Sequence, residues 1–544
     1  MSGTFFGFNI ARSGLFASQR AIHVTGHNIA NANTPGYTRQ RLEVVSSNPL
    51  ALPGGQGMLG AGVDTNAIEN IRDEFLDFKF RGENESFGEW NVRADVLENI
   101  EAIMNEPSDT GIRTVMDEYF ASLQKLSTNA DEEGLTVRAL VRERAIALAK
   151  TINTMGHQLE KMQKDLDFQV NTVVSEINGY ADQIAELNSQ IFRFELDGSH
   201  ANDLRDQRNL ILDQLSERVN IDTFEDKNGK FHVLVSGKPL VSHQRVFHFA
   251  TEERVKGNKK NNSDMENLLD VKWADSNSLK LKSGKLKGLL DARDNAEGSE
   301  KGIPYYMEQL NNFAKTFAAQ TNMIHREGYG LKGTTGVDFF EMNGGAFHDK
   351  TTDVQSFMTA NPKLSEAQAI AQLEKNGGAA LGITAYEDIS IIKMIENGTP
   401  KYYVTPKVTA TSLAISKTID NDLNAIAASS THAGLPGNGD NALRMNQLKN
   451  EGTMFDWGKP EDFMKSLISN LGVDTQQAQK MAKNQSVLLE HLENKRQSIS
   501  GVSIDEEMSN MIRFQHSYNA NARMITTIDE MIDVIVNRMG LVGR

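Results

Sequence analysis

The chain has 544 residues, of which 39% are hydrophobic and 24% charged, enough for about three or four globular domains. Its net charge of −15 argues against nucleic acid as the main partner. The absence of cysteine excludes disulfides, thiolate metal sites and cysteine nucleophiles. No apolar run approaches the roughly 18 residues of a membrane span, so we expect no membrane insertion.

The first segment combines an amphipathic helical pattern with many small residues. Small side chains such as Ala11, Gly14, Ala17 and Ala21 would permit close helix packing, although an ordinary surface helix fits the pattern equally well. The stretch GHNIANANTPGYTRQ, residues 26–40, then ends the helix and forms a turn. A short extended piece follows at Leu42 to Val45, and Pro53 to Val63 indicates a glycine-rich hairpin or loop.

The next part of the chain predicts a helical rod. Two helical segments cover residues 87–128 and break near Pro107 to Gly111. From Val141 to Phe194 apolar residues recur in steps of four and three, which predicts one long helix. This spacing requires antiparallel or coiled-coil partner helices. Helical patterns return at 284–294, 305–325, 441–449 and 460–499.

Two inserts with strand-like patterns interrupt the rod. In the first, the turn residues Asp226 to Lys230 lie between two β-rich runs, a good hairpin signal. In the second, residues 364–374 predict a helix, and 389–395 and 402–408 predict extended segments. The layout is therefore α+β and multidomain: helical chain ends enclose a helical rod, which encloses two β-containing inserts. The predicted domains are 1–50 with 500–544, 51–218 with 281–329 and 436–499, 219–280, and 330–435.

The last forty residues carry an apolar stripe at coiled-coil spacing. Its members are Met508, Met511, Gln515, Tyr518, Ala522, Ile525, Ile532, Val536 and Met539. Ser503 followed by Glu506 is a capping-box start for a helix. The length and terminal position of the stripe predict a partner helix, from this chain or another.

Both ends of the chain resemble the bacterial flagellar axial proteins. The core NIANANT, residues 28–34, is shared with rod and hook proteins. The flanking Thr25 to His27 and Pro35 to Gln40 are more similar to the hook-associated protein 1 family, the first junction proteins between hook and filament. The carboxy-terminal stretch 500–537, with its extension through Ile528 to Met531, resembles the same family.

This resemblance implies a structural subunit that assembles through its terminal helices, with the inserts as outer domains. The implied assembly interface comprises the carboxy-terminal stripe and Leu15, Ile22, Ile29, Asn31, Asn33, Thr34 and Tyr37. The implied partners are copies of the chain, the hook protein, the next junction protein with the filament, and a cytosolic export chaperone at the carboxy-terminal helix. The implied location is the extracellular flagellum, and the amino terminus lacks the layout of a cleaved signal.

Sequence signals for chemistry are weak. His23 and His27 stand at i and i+4, but no third ligand is near and position 24 is valine, so a packing or hydrogen-bonding role for His27 is favoured over a metal. The glycine-rich stretch 54–62 is not followed by the lysine of a phosphate loop. We therefore predict no enzyme activity, no cofactor and no metal.

Two alternatives remain at this point. The first is a hook or rod protein, against which Pro35 to Gln40 and the Ile528 to Asn537 extension argue. The second is a secreted enzyme or adhesin whose active module is the insert 330–435, carried on flagellar-type ends. A cleft with convergent titratable groups in that insert would favour it.

Overall fold

The structure is a computed structural model. It describes residues 6–51, 57–104, 111–131, 135–255, 259–275, 277–298, 300–342, 347–383, 388–396 and 398–538.

Helices dominate the described part of the chain. They are α1 Phe6–Ala30, α2 Glu74–Met104, α3 Ile112–Thr128, α4 Leu135–Phe194, α5 Asn202–Arg218, α6 Lys285–Asp294, α7 Ile303–Glu327, α8 Thr351–Ala360, α9 Glu366–Asn376, α10 Lys417–Asn421, α11 Asp440–Gln447, α12 Pro460–Ser500 and α13 Ile504–Asp533. A π-helical turn, Val534–Arg538, extends α13. Short 3-10 helices lie at Gly378–Leu381, Ala410–Ser412, Leu423–Ala425, His432–Gly434 and Leu448–Asn450.

The strands form small antiparallel sheets. They are β1 Gln40–Ser46, β2 Leu50–Ala51, β3 Met58–Leu59, β4 Val63–Asn70, β5 Asp222–Glu225, β6 Phe231–Val235, β7 Lys238–Ser242, β8 Arg245–Val246, β9 Phe249–Glu253, β10 Leu269–Trp273, β11 His348–Asp349, β12 Ile389–Glu396 and β13 Thr399–Pro406. The sheet orders are β1-β4, β2-β3, β5-β6-β7-β8, β9-β10 and β11-β13-β12. A β-ribbon, β1 to β4, therefore follows α1 directly.

The long helix α4 is the centre of the rod. Most of its apolar residues at four-three spacing are buried, and Val141, Leu148 and Ile152 are 0% exposed. Helices α3, α5, α6 and α7 pack around it. The predicted single helix over Val141 to Phe194 is confirmed, and it begins earlier, at Leu135. The stripe predicted partner helices, and this chain supplies them.

The two inserts differ in how they meet the rod. The inner residues of β6 and β7, such as Val233 and Leu240, belong to the same hydrophobic core as α4. The second insert has a core cluster of its own, in which Val354 of α8 packs with Ile391 and Val404 of the β12–β13 hairpin. Helix α8 was not predicted, because Val354 is its only buried residue and its sequence shows little apolar periodicity.

The predicted fold class is confirmed: the structure is α+β, with a helical core and small sheets. The glycine-rich stretch was expected to form a hairpin or loop, and its flanks pair as β2 and β3, while residues 52–56 lie outside the described part. The domain boundaries given above stay a prediction.

Candidate assembly surface at the paired termini

The two terminal helices, α1 and α13, pack against each other as an antiparallel pair. Four contacts fix their register: Gly7 with Ile528, Gly14 with Asn521, Ser18 with Ser517, and Asn28 with Glu507. Steps along α1 are matched by equal steps back along α13, so the register is constant over the pair. The partner helix that the carboxy-terminal stripe predicted is therefore α1 of the same chain.

Small residues of α1 allow this close approach. A Cβ atom at Gly14 would lie 2.8 Å from Nδ2 of Asn521, closer than such atoms pack. The hydroxyl groups of Ser18 and Ser517 lie 3.0 Å apart across the interface. The expectation that the small residues of the first segment serve close helix packing is confirmed.

Helix α1 covers only part of the carboxy-terminal stripe. Met511, Tyr518, Ala522, Ile525 and Ile532 are half-buried, whereas Met508, Gln515 and Val536 are exposed. Glu507 is the one fully buried residue that the structure describes in α13. Met539 lies outside the described residues. The stripe thus has an intrachain partner and still leaves apolar surface in contact with solvent.

On α1, the predicted interface residues Leu15, Ile22 and Ile29 repeat every seven positions and are all half-buried. They lie beside the row that packs on α13. The opposite flank of α1 is covered by the β-ribbon, where the Val63 N–H donates to the Ser13 hydroxyl at 3.2 Å. One flank of the helix pair is therefore covered within the chain, and the other remains accessible.

The signature segment after α1 is held by the side chain of Asn28, which is 1% exposed. Its Nδ2 donates to the Gln40 carbonyl at 2.9 Å and to Glu507 Oε2 at 3.0 Å. Its Oδ1 accepts from the Gln40 N–H at 3.0 Å and from the Tyr37 hydroxyl at 2.7 Å. One buried amide thus ties the turn to the start of α13.

The other predicted residues of this turn either form hydrogen bonds within the turn or are exposed to solvent. Asn31 Nδ2 donates to the His27 carbonyl, and the Thr34 hydroxyl donates to Asn31 Oδ1 at 3.2 Å. Asn33 is exposed. Nδ1 of His27 lies 3.0 Å from the Tyr37 hydroxyl, in keeping with the hydrogen-bonding role favoured for this histidine. These contacts shape the turn, and a role for these residues between subunits stays a prediction.

The residues Thr38, Arg39 and Gln40 connect the terminal pair to the rod. The Thr38 N–H donates to Asp206 Oδ2 of α5 at 2.8 Å, and Gln40 Nε2 donates to Asp203 at 2.7 Å. Arg39 forms an ion pair with the buried Glu507 of α13 at 2.7 Å. We call this set of contacts, residues 37–40 with Asp203, Asp206 and Glu507, the joint.

Burial sets the electrostatics of the joint. It raises the pKa of Asp206 to about 6, although the Thr38 N–H and Arg72 favour the carboxylate. It also raises the pKa of Tyr37, with further contributions from the charges of Asp203 and Asp206. Arg496, near the end of α12, bridges Asp77 of α2 and Asp213 of α5 close by. The terminal pair is therefore anchored by a polar network rather than by an apolar core.

Sequence reasoning missed Glu507, Asp203 and Asp206. In the sequence, Glu507 is one of three consecutive acidic residues at the start of a helix, a place that the helix dipole alone explains. A usable signal existed, because Glu507 stands one four-residue step before Met511 and so falls on the apolar stripe. A carboxylate on the buried face of a helix indicates a buried cation partner.

Groups suited to chemistry are few in the described residues. Glu89, Asp291 and Glu300 lie close enough together to hold a metal ion. However, Nζ of Lys287 lies 2.6 Å from Glu89 and 2.8 Å from Asp291, so a lysine already supplies the positive charge. No described helix is long and apolar enough to cross a membrane.

A cleft of about 200 Å³ lies between the second insert and the rod. Burial raises the pKa of Glu308 in this cleft to about 7, against the opposing effect of Lys315. Lys315 and Glu374 form an ion pair at 2.8 Å, and Glu374 also accepts the Ile391 N–H. These two residues therefore anchor β12 to α7.

Comparisons with known proteins agree with the motifs. Residues 97–340 match the family model "Flagellar hook-associated protein FlgK helical domain". Residues 8–38 match "Flagella basal body rod protein", and residues 494–539 match "Flagellar basal body rod FlgEFG protein C-terminal". The two rod-protein matches therefore cover the two helices of the terminal pair.

Two relatives that match over nearly the full length of the chain are both named flagellar hook-associated protein 1. The chain is 32% identical to flagellar hook-associated protein 1 of Bacillus subtilis, over 100% of both chains. It is 25% identical to the protein of that name in Escherichia coli, over 97% of this chain and 99% of the relative. The solved structure of the flagellar hook junction protein FlgK from Burkholderia pseudomallei shares the fold, with a TM-score of 0.56, 17% identity and coverage of 78% of this chain and 100% of that one. The chain belongs to the flagellar hook-associated protein 1 family.

Proposed function

We propose that this chain is a structural subunit at the junction of hook and filament, and that it assembles with its neighbours through the terminal helix pair. It works as an adaptor rather than as an enzyme. Its neighbours are copies of itself, the hook protein on one side, and the next junction protein with the filament on the other. The family resemblance implies that it leaves the cell by the flagellar export route.

The observation that carries the proposal is the uncovered apolar surface of α13. Met508 is 48% exposed, Ile512 52%, Met524 50% and Met531 52%. Single apolar side chains are exposed on the rod as well, such as Phe168 at 72%, but α13 with its extension carries a series of them from Ile504 to Val536 along one element. Apolar area of this kind marks interaction sites on soluble proteins. This series along α13 supports the terminal pair as the contact surface between subunits.

The joint gives this surface a fixed relation to the rod. Arg39 and Asn28 both contact Glu507, and Thr38 contacts Asp206, so the turn after α1 is tied to α13 and to α5 at once. A load applied to the terminal pair is therefore transmitted to the rod through charge-assisted hydrogen bonds, which are strong and directional.

Before assembly, the exposed face of α13 needs protection in the cytosol. An amphipathic helix with one uncovered apolar side fits a hydrophobic groove on a partner protein. We therefore assign the carboxy-terminal helix as the binding site of a cytosolic export chaperone, as the family resemblance implies.

The test of the assembly surface is a double substitution of two exposed apolar residues, Met508→Asp with Ile512→Asp. We expect the rod to keep its helical content and melting temperature, while the variant fails to restore swimming to cells that lack their own junction protein. The matched control is Thr526→Asp, which adds a carboxylate on an exposed position of the same helix. Normal filaments on cells carrying the double variant would show that this face does not join subunits.

The location is tested by labelling intact flagella with an antibody against residues 220–280. A single spot where hook meets filament supports the proposal. Label along the whole hook would identify a hook protein. Label away from the flagellum would favour the enzyme alternative and direct attention to the cleft around Glu308.

A further inference from the structure

The outward face of α1 carries one exposed aromatic side chain in a polar, basic row. Arg12, Phe16, Gln19 and His23 follow one another at helical spacing, and all are exposed. Phe16 is 53% exposed. Residues 6–30 contain no aspartate or glutamate. This face therefore offers an apolar knob next to positive charge.

The last turns of α13 have the complementary composition. Met524 and Met531 stand seven residues apart and are each about half exposed, 50% and 52%. Glu530 is exposed next to Met531, and residues 524–533 contain no lysine or arginine, with Arg523 lying just before Met524. Two flexible thioether side chains separated by two turns of a helix leave a gap suited to an aromatic ring.

These two surfaces do not meet within one copy. Since Gly14 packs on Asn521, Phe16 lies about level with residue 519 and on the side of α1 that faces away from α13. Among the described residues of its own copy, Arg12 has no ion-pair partner, and neither has Glu530. A second copy is required to bring the knob and the gap together.

We infer that Phe16 of one copy inserts between Met524 and Met531 of the next, and that Arg12 pairs there with Glu530. This inference rests on the proposed function. The spacing supports it, because in an antiparallel arrangement Arg12, four residues before Phe16, falls four residues beyond the middle of the gap. That position is next to Glu530.

The contact joins different surfaces of identical subunits, so each copy has one neighbour on each side. Such a heterologous contact closes into a ring or continues as a helix. Within a copy Phe16 is level with residue 519, whereas across the contact it is level with residue 527. Neighbouring copies are therefore offset along the helix axis by about 12 Å, at roughly 1.5 Å per residue.

Cysteine cross-linking tests this contact directly, because the natural chain has no cysteine. In flagella carrying Arg12→Cys with Glu530→Cys, mild oxidation should produce disulfide-linked oligomers of the chain. The matched control is Arg12→Cys with Arg513→Cys, in which the second site is an exposed position of the same helix that lies far from the contact. The control should stay monomeric on denaturing gels.

Charge reversal gives a second, independent readout. Arg12→Glu and Glu530→Arg should each impair swimming, and the double reversal should restore it, with helical content unchanged in all three variants. Flagella that assemble normally without the 12–530 cross-link would overturn this contact and leave the proposed function intact. A chain that never enters the flagellum would overturn both.

Discussion

Helices α4 and α13 carry similar apolar stripes, but the two stripes differ in how much of their surface the rest of the chain covers. In α4 most of the stripe residues are buried, with Val141, Leu148 and Ile152 at 0% exposure and only the last, Phe194, exposed. In the described part of α13 the only fully buried residue is the charged Glu507. A periodic stripe therefore identifies the face of a helix that packs, and it does not reveal how much of that face the same chain covers.

The reason for the difference lies in the number of neighbours. Helix α4 is surrounded by α3, α5, α6, α7 and the first insert, which together enclose its apolar side. Among the described elements α13 packs mainly on α1, and one helix can cover only part of its apolar face. The uncovered remainder is available to other subunits. Three substitutions test this comparison.

The largest effect is expected from Ile152→Asp in α4. A carboxylate at this fully enclosed position finds no solvent and leaves a cavity, which costs more than about 4 kcal/mol. We expect insoluble or unfolded protein, measured by expression and circular dichroism. The matched variant Ile525→Asp in α13 should fold. If both single variants fold equally well, the two stripes do not differ as the structure indicates.

A smaller effect is expected from Arg39→Ala at the joint. The change leaves the buried Glu507 carboxylate without its cation, at a cost of about 3 kcal/mol. The first turns of α13 should then exchange amide hydrogens faster, while α4 keeps its protection. Arg41→Ala, an exposed arginine two residues away, is the control. Equal exchange in the two variants would mean that the joint does not anchor the pair.

The smallest effect is expected from Gly14→Leu. The new side chain must displace Asn521 and push α1 away from α13, which costs about 1 to 2 kcal/mol. Gly26→Leu is the control, since a Cβ atom at Gly26 meets nothing within 4 Å. Hydrogen exchange should detect loosening of the terminal pair only in the first variant. Loosening of similar size in both variants would contradict the close approach at Gly14.

Patterns within one segment predicted most of the fold. The four-three spacing of α4 and the turn at Asp226 to Lys230 each depend on interactions between residues near in sequence. Such local signals led to α3, α4 and α12, to the β5–β6 hairpin, and to the second half of α2, which begins at Glu74 and not near residue 87. The break predicted near Pro107 to Gly111 falls mostly on residues 105–110, which lie outside the described part. Helix α8 was missed because a short, mostly exposed helix needs little periodicity.

The joint could not be predicted in the same way. Arg39 and Glu507 are 468 residues apart in sequence, and Thr38 and Asp206 are 168 apart. A single sequence shows each of these residues as an ordinary surface charge or hydroxyl group. Their pairing follows from the positions that the packed helices impose on them.

The sequence by itself determined most of the long helices, the small residues available for a close helix pair and, through its terminal motifs, the protein family. Only the tertiary structure decided that α1 is the partner of α13, that Glu507 is buried beneath Arg39, and that part of the carboxy-terminal stripe remains exposed. The spacing of apolar residues along the sequence shows which side of a helix is apolar. Coverage of that side depends on how many other elements the fold brings against it.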